Sequence, residues 1–185
     1  MNGKLKPWEL YPHIWKTEKH FLAYLRGAFR AVWSRYPAKL DWKKKQGITP
    51  PVTYKGKAKK LVQCKQCQEW FPISSTEVDH VEEAGSFTTV DGAWEWFKRI
   101  LDVNNNWQLL CKPCHKLKSL STRQGISLED AALKKKVIAF KKLSVTEQTN
   151  ILQSLYDIAT MKSLSNAAKR AEAYKQHLLK ERVDE

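Results

Sequence analysis

Apolar residues near the start of the chain recur at three- and four-residue steps, the spacing of one face of a helix. The pattern predicts an amphipathic helix over residues 17–36, with Thr17 as its N-cap and Pro37 as its stop. We interpret the apolar face as a core-packing surface. On the basic remainder of the helix, Arg26 and Arg30 are candidates for contact with phosphate. The apolar positions are Phe21, Leu22, Leu25, Phe29, Val32, Trp33 and Tyr36.

The next segment, residues 37–60, lacks this period and is rich in proline and lysine. Pro37, Pro50 and Pro51 interrupt regular structure, so we expect an irregular basic linker. A flexible lysine-rich segment can follow a DNA backbone without reading its sequence, and it can equally be a solvated connector. The lysines of this segment that are candidates for DNA contact are Lys43, Lys44, Lys45, Lys55, Lys57, Lys59 and Lys60.

The last third of the chain has the patterns of helix starts. Ser127 is followed three residues later by Asp130, and Ser144 by Glu147, which match the capping box or its Asp variant. A further stretch is rich in Ala, Lys and Glu, which favour helices. The helices are expected near residues 128–142, 145–161 and 165–181.

The net charge changes this picture because it is unevenly distributed. The chain carries +14 at pH 7, of which residues 1–63 carry +12, residues 64–118 carry −2 and residues 119–185 carry +4. A basic arm beside a slightly acidic centre favours a polyanionic partner next to a site for cations. A disordered, solvated arm is the alternative, but four tryptophans within the first 42 residues argue against it.

The sequence shows no signal-peptide pattern and no apolar run of the length that spans a bilayer. We therefore expect a cytoplasmic protein without membrane association. In a reducing compartment, paired cysteines indicate metal ligands rather than disulfides.

Four cysteines form two C-x-x-C pairs, Cys64 with Cys67 and Cys111 with Cys114, separated by 43 residues. Each pair can supply two corners of a tetrahedron, and together they close a four-sulfur site. A site of this kind has no open coordination position, so we expect a structural Zn²⁺ ion. The ion would tie together both ends of a segment that is too short to build a large core.

Between and just after the two pairs stand residues that suit phosphodiester hydrolysis. His80 carries an imidazole, the kind of side chain that can take a proton from water as a general base. Asp79 is a hard oxygen ligand suited to Mg²⁺ or Mn²⁺, and His115 adds a nitrogen that also suits transition metals such as Ni²⁺. Adjacent strand residues point to opposite faces, so Asp79 and His80 share a site only if the backbone bends there.

The order of these residues resembles the zinc-containing HNH nucleases, in particular a phage-encoded branch. Their pattern is C-x-x-C, Asp-His, Asn-x-Gln-x-Leu-C-x-x-C-His-x-x-Lys, and the resemblance covers about residues 61–119. It implies a metal-dependent DNA endonuclease with the ββα-metal fold, in which His80 is the general base and Asp79 and His115 hold the catalytic ion. By the same resemblance Asn106 braces the loop that orients His80, and Lys118 contacts phosphate.

Two parts of the central segment leave alternatives open. Glu82 and Glu83 could add a metal ligand or could simply be solvated. The spacer of residues 85–102 is best explained as a short helix packed on the module, and a stacking platform for bases is the alternative. The aromatic and apolar residues concerned are Trp94, Trp96, Phe97 and Leu101.

The sequence as a whole predicts an α+β protein: a small zinc-stapled ββα-metal module flanked by N-terminal and C-terminal helices. Residues 1–60 would be a DNA-contacting arm, residues 61–119 the nuclease module and residues 120–185 a helical region. Nicking or double-strand cleavage, a homing or packaging role, a homodimer and a phage terminase partner all fit the resemblance. The alternative function is a catalytically inactive, zinc-dependent DNA-binding module.

Overall fold

In a computed structural model of the chain, residues 6–102 and 106–183 are described, and the chain divides into two units, residues 1–112 and 113–185. The protein is α+β, with helices and two small two-stranded antiparallel sheets. The expected fold class is confirmed at this level.

The first unit begins with three helices: α1 (Pro7–Leu10), α2 (Glu18–Ser34) and α3 (Pro37–Lys45). Helix α2 confirms the predicted amphipathic helix, and the side chain of Thr17 caps it by accepting a hydrogen bond from the backbone N–H of His20 at 3.2 Å.

Helix α3 corrects the prediction of an irregular linker over residues 37–60. Pro37 stands at the first position of this helix, where its missing N–H has no partner to lose and its fixed φ suits the helix. The residue therefore begins a helix rather than only ending one. Residues 46–60 do lack a helix or strand, apart from an isolated bridge between Ile48 and Leu61.

Two hairpin-like pairs of strands follow. Strand β1 (Leu61–Gln63) pairs antiparallel with β2 (Trp70–Pro72), and a 3-10 turn then leads into β3 (Thr76–His80). Strand β3 pairs antiparallel with β4 (Trp107–Cys111), in register from Thr76 opposite Cys111 to His80 opposite Trp107. The backbone N–H of Lys65 donates to the carbonyl of Leu109 at 2.8 Å and so links the end of β1 to β4.

A long excursion between β3 and β4 carries α4 (Val90–Leu101), which confirms the expected short helix in this spacer. Helix α4 packs on α2 around the buried residues Leu22, Phe87 and Trp96. Phe29 of α2 stacks on Phe97 of α4 with ring centroids 4.5 Å apart. This hydrophobic cluster therefore joins α2 to the excursion between β3 and β4.

The second unit is helical. Its elements are α5 (Lys112–Gln124), which begins at the last residue of the first unit, α6 (Leu128–Lys141), α7 (Val145–Gln153), α8 (Ile158–Ser163) and α9 (Ala167–Val183). Ser127 caps α6, and Ser144 with Glu147 forms a complete capping box on α7, as predicted. The predicted helix over 145–161 is wrong in its length, because Asp157 caps a separate helix there.

A buried polar pair and an aromatic stack hold helices of the second unit together. Arg170 of α9 is 8% exposed, and its Nε donates to Oε1 of Gln148 on α7 at 2.9 Å. Phe140 of α6 stacks on Tyr174 of α9 at 4.3 Å. These contacts fix how α6 and α7 pack against α9.

Candidate metal centre and active site

The four cysteines lie together, as their spacing predicted. Their sulfur atoms are all within 4.8 Å of one another, and Sγ of Cys67 is 4.0 Å from Sγ of Cys111. Sulfur atoms at about 2.3 Å from one tetrahedral ion would stand roughly 3.8 Å apart. The cysteine cluster could therefore hold a metal ion.

Backbone N–H groups surround the sulfur of Cys64, which is buried. Burial alone would raise the pKa of this thiol, but hydrogen bonds from the backbone of Cys67, Cys111 and Gln66 outweigh it and lower the pKa to about 7. The N–H of Cys111 is 3.3 Å from this sulfur. Because the thiolate is the form that binds metals, the local backbone prepares Cys64 for this task.

Asp79 and His80 end strand β3, and the ladder with β4 continues in register through both. No bulge separates them, so their side chains leave the hairpin on opposite faces. The bend that the sequence analysis required is therefore absent from the paired part of β3. Oδ2 of Asp79 accepts a hydrogen bond at 2.8 Å from Nε2 of Gln108, its cross-strand neighbour.

The imidazole of His80 is half-buried between α2 and α4. Its Nε2 is 2.9 Å from the carbonyl oxygen of Ile100, and because a carbonyl only accepts, Nε2 must carry the proton. In the neutral ring with this tautomer, the lone pair is on Nδ1. The ring also lies 4.7 Å from the indole of Trp33, at an interplanar angle of 31°.

Trp33 belongs to a small assembly that the sequence did not reveal. Lys39 is 9% exposed, and its Nζ lies 4.5 Å from the centre of the Trp33 ring and donates to the carbonyl of Ser34 at 3.1 Å. Burial lowers the pKa of this lysine, and the nearby charge of Lys43 lowers it further. The helical period showed that Trp33 packs inward, but it could not show that the ring packs on His80.

Asn106 closes the excursion that follows His80. Its Oδ1 accepts from the backbone N–H of Glu82 at 2.7 Å, and its Nδ2 donates to the carbonyl of Glu82 at 3.2 Å. The carbonyl of Asn106 accepts from the N–H of Val81 at 2.8 Å. These three bonds hold the loop immediately after His80 against the start of β4, which is the position in which a bracing residue is expected.

The other residues of the predicted site lie on α5. His115 follows Cys114 directly, Lys118 stands three residues further on, and both side chains are half-buried. Among the described residues, the cysteine cluster is the single group of three or more His, Cys, Asp and Glu ligands close enough to hold a metal ion. Glu82 and Glu83 are exposed and do not complete a second group with Asp79.

The basic residues that the sequence nominated for DNA contact differ in their surroundings. Lys43 donates to the carbonyl of Thr76, and burial lowers its pKa. Arg26 donates to the carbonyl of Phe87 at 3.1 Å, and Lys45 pairs with Asp41 at 2.7 Å. Lys60 donates to the carbonyl of Lys44 at 3.2 Å. The side chains of Arg30, Lys44, Lys55, Lys57 and Lys59 are exposed.

Comparison with known proteins adds no identity. No family model, no curated protein and no solved structure matches this chain. Within residues 6–102 and 106–183, no helix is both long and apolar enough to cross a membrane.

Proposed function

We propose that the protein is a metal-dependent DNA endonuclease of the HNH type. The observation that carries the proposal is the hydrogen bond between Nε2 of His80 and the carbonyl of Ile100. It fixes the tautomer of a histidine that follows a carboxylate directly in the chain, on a hairpin that leads into the cysteine cluster.

In this proposal His80 is the general base. A proton on Nε2 leaves Nδ1 as the basic nitrogen, which takes a proton from the attacking water. Water attack at phosphorus breaks the bond to the 3′ oxygen and gives 5′-phosphate and 3′-hydroxyl ends. The Ile100 carbonyl stabilises the resulting imidazolium because it accepts a hydrogen bond from the charged ring.

Asp79 and His115 are the residues that would hold the catalytic ion. One carboxylate and one imidazole would form a donor set that suits Mg²⁺ or Mn²⁺, or Ni²⁺. When bound, such an ion polarises the phosphate and stabilises the leaving oxygen. The hydrogen bond from Gln108 orients the Asp79 carboxylate for this role.

The regular ladder sets a condition on this mechanism. Because Asp79 and His80 leave β3 on opposite faces, the end of the strand must turn at His80 when both act on one phosphate. His80 is the last residue of β3, so a turn there costs a single ladder pair. The bonds of Asn106 to Val81 and Glu82 hold the segment beyond.

We assign Zn²⁺ to the cysteine cluster and a structural role to that ion. Four sulfur ligands fill a tetrahedral shell and leave no position for substrate. Lys118, one helical turn after His115, is the proposed phosphate contact on α5. The proposed substrate is DNA, and the proposed location is the cytoplasm. The resemblance to HNH nucleases also suggests a homing role, a packaging role with a terminase, or a homodimer.

The proposal is tested by incubating supercoiled plasmid with the purified protein and Mg²⁺, Mn²⁺, Ni²⁺ or EDTA, beside a His80→Ala variant. We expect metal-dependent nicking or linearisation that falls at least about 100-fold in the variant, the lower range of a general base's contribution. His13→Ala is the matched control, because His13 is an exposed histidine far along the chain from the site, and it should cut normally.

One result would count against the nuclease, and another against its proposed base. One is the absence of cutting with every metal despite tight plasmid binding, which supports the inactive DNA-binding module instead. The other is equal cutting by the His80→Ala variant, which removes His80 as the base.

A further inference from the structure

A cleft of about 430 Å³ lies among α3, the β1–β2 pair and β4. Its lining includes three tryptophans, Trp42, Trp70 and Trp107, so we call it the tryptophan cleft. Trp70 is 50% exposed, and the ring of Trp42 meets that of Trp107 edge to face at 5.7 Å. Indole surfaces stack on flat heterocycles, and the volume suits a small ligand. The cleft therefore favours a flat aromatic group.

Three glutamines, Gln46, Gln63 and Gln108, line the cleft, and hydrogen bonds fix the orientation of the last two. Nε2 of Gln63 donates to the carbonyl of Gln68, and Nε2 of Gln108 donates to Asp79, each at 2.8 Å. Both partners are acceptors, so the nitrogen end of each amide is fixed toward them. The amide oxygens are what these side chains can offer to a ligand. They select a ligand that carries an N–H donor.

Trp107 adds a second requirement. Its side chain is 6% exposed, and its indole N–H has no hydrogen-bond partner among the described residues. A buried donor without a partner costs about 1–3 kcal/mol. The ring nitrogens of a purine are acceptors of the kind that this N–H lacks. Adenine combines them with an exocyclic amino group and has no carbonyl oxygen to oppose the glutamine oxygens.

The position of the cleft connects it to the proposed chemistry. Gln108 lines the cleft and hydrogen-bonds to Asp79, the proposed ligand of the catalytic ion. Lys65 also lines the cleft and supplies a positive charge for a neighbouring phosphate. We infer that the tryptophan cleft binds one unstacked adenine of the DNA beside the bond that is cut. The inference rests on the nuclease function proposed above.

The test measures binding without cleavage. A fluorescein-labelled DNA hairpin with one extrahelical adenine is titrated with the full chain, and anisotropy gives the Kd. No divalent ion is added, and a gel checks that the DNA stays intact. The same hairpin is tested with purine (adenine without its amino group), thymine or an abasic site at that position. We expect adenine to bind about tenfold more tightly than the abasic site, as one stacked base does, with purine and thymine between them.

Variants assign the effect to the cleft. Gln63 and Trp70 are cross-strand neighbours and belong to neither the proposed catalytic residues nor the cysteine cluster. Trp70→Ala should remove the advantage of any base over the abasic site. Gln63→Met should remove the advantage of adenine over purine while keeping stacking. Trp94→Ala is the matched control, because Trp94 is 60% exposed on α4 and outside the cleft, and it should change neither ratio.

Equal affinity for all four hairpins overturns the inference, as does no measurable binding of any of them. An adenine preference that survives both Trp70→Ala and Gln63→Met also overturns it, because the base is then bound elsewhere. If the protein nicks plasmid but binds all four hairpins with the same affinity, the adenine site is contradicted and the nuclease function stands. If the protein prefers the adenine hairpin but does not nick plasmid with any metal, the nuclease function is contradicted and the adenine site stands.

Discussion

The indole of Trp33 lies 4.7 Å from the imidazole of His80, although the two residues are 47 positions apart in the chain. This contact brings the N-terminal helix α2 into the proposed active site. Together with the bond from Nε2 to Ile100, it restricts the ring of His80 on one edge and one face. We therefore regard Trp33 as a positioning residue for the proposed base.

Trp33→Leu is expected to lower kcat of plasmid nicking by about 10- to 100-fold, because a small displacement of a catalytic group has an effect of this size. KM should change little, since Trp33 has no proposed contact with DNA. Trp33→Phe keeps an aromatic face and should restore most of kcat. Single-turnover and steady-state kinetics measure both constants, and Trp94→Leu serves as the control.

The stacking role of Trp33 is contradicted if Trp33→Phe is as slow as Trp33→Leu while both variants melt at the wild-type temperature. The NMR shifts of the His80 ring protons give a readout independent of activity. Removal of the neighbouring indole should move them, because the ring current of Trp33 acts at 4.7 Å.

At the scale of single residues, the sequence indicates candidates that are recognisable from their own type and their order in the chain. Asp79, His80 and Asn106 are predicted for the site from residue type and order alone. Trp33 and Lys39 are not, because a helical period tells which face is buried and not what it is buried against. Gln108 is the glutamine of the HNH-like sequence pattern. Its hydrogen bond to Asp79 depends on the register of β3 and β4, which a sequence pattern does not specify.

At the scale of elements, the lysines of residues 37–60 differ in their structural surroundings, which their number alone does not show. Lys43 lies in α3 and binds the carbonyl of Thr76, so it joins this helix to β3. Lys55, Lys57 and Lys59 lie in the irregular part that follows, and their side chains are exposed. The structure thus separates lysines that hold elements together from lysines that face solvent.

Replacing Lys55, Lys57 and Lys59 with Ala should weaken DNA binding and reduce the salt slope by up to about 3, since each phosphate contact contributes about 0.9. Lys43→Ala should leave the slope unchanged and lower Tm, because it removes the bond between α3 and Thr76. Anisotropy titrations over a salt series measure the slopes. If the salt slope of the triple variant is unchanged, these three lysines do not contact DNA and the segment is only a connector.

Element boundaries were predictable where capping residues mark them and less so elsewhere. Thr17, Ser127 and Ser144 begin their helices as expected. The sequence predicts Pro37 as a stop, although a proline at the first helical position is equally a start. Asp157 caps α8, which has only six residues and is too short for a hydrophobic period to reveal it as a separate element.

At the scale of the whole molecule, the sheets of the first unit are small. One hydrophobic cluster of this unit lies between α2 and α4, and the strands that carry the site are only three or five residues long, although they bury Val62 and Leu110. Such short strands are marginal without further support. A metal ion held by the cysteine cluster would supply it by joining the turn after β1 to the end of β4.

If the proposed Zn²⁺ ion is bound there, its removal should destabilise the protein strongly. Structural zinc contributes about 10–16 kcal/mol to folding of small domains, and a loss of even about 5 kcal/mol lowers Tm by roughly 10–20 °C. Elemental analysis should find one zinc per chain, and calorimetry before and after chelation gives the change in Tm. Cys64→Ser should melt like the stripped protein and respond no further to chelator. An unchanged Tm on stripping would rule out a structural ion.

The α+β class and the grouping of the cysteines were predictable because they follow from local periods and from paired spacings. The tryptophan cleft was not, because Trp42, Trp70 and Trp107 come from three separate elements. Nothing in their order along the chain brings them together. Their assembly depends on register and on helix placement, which are properties of the folded molecule.

The closure made by Asn106 also bears on how such a chain can diverge over evolutionary time. Because Asn106 ties Val81 and Glu82 to the start of β4, the ends of the excursion meet regardless of what lies between them. Doubling the length of a flexible loop costs only about 0.6 kcal/mol. Insertions between Glu83 and Phe87 should thus be tolerated, provided that Phe87 stays in the core against α2 and that Ile100 returns to His80. Homologous chains would then differ most in length at this point while the ends of β3 and β4 stay constant.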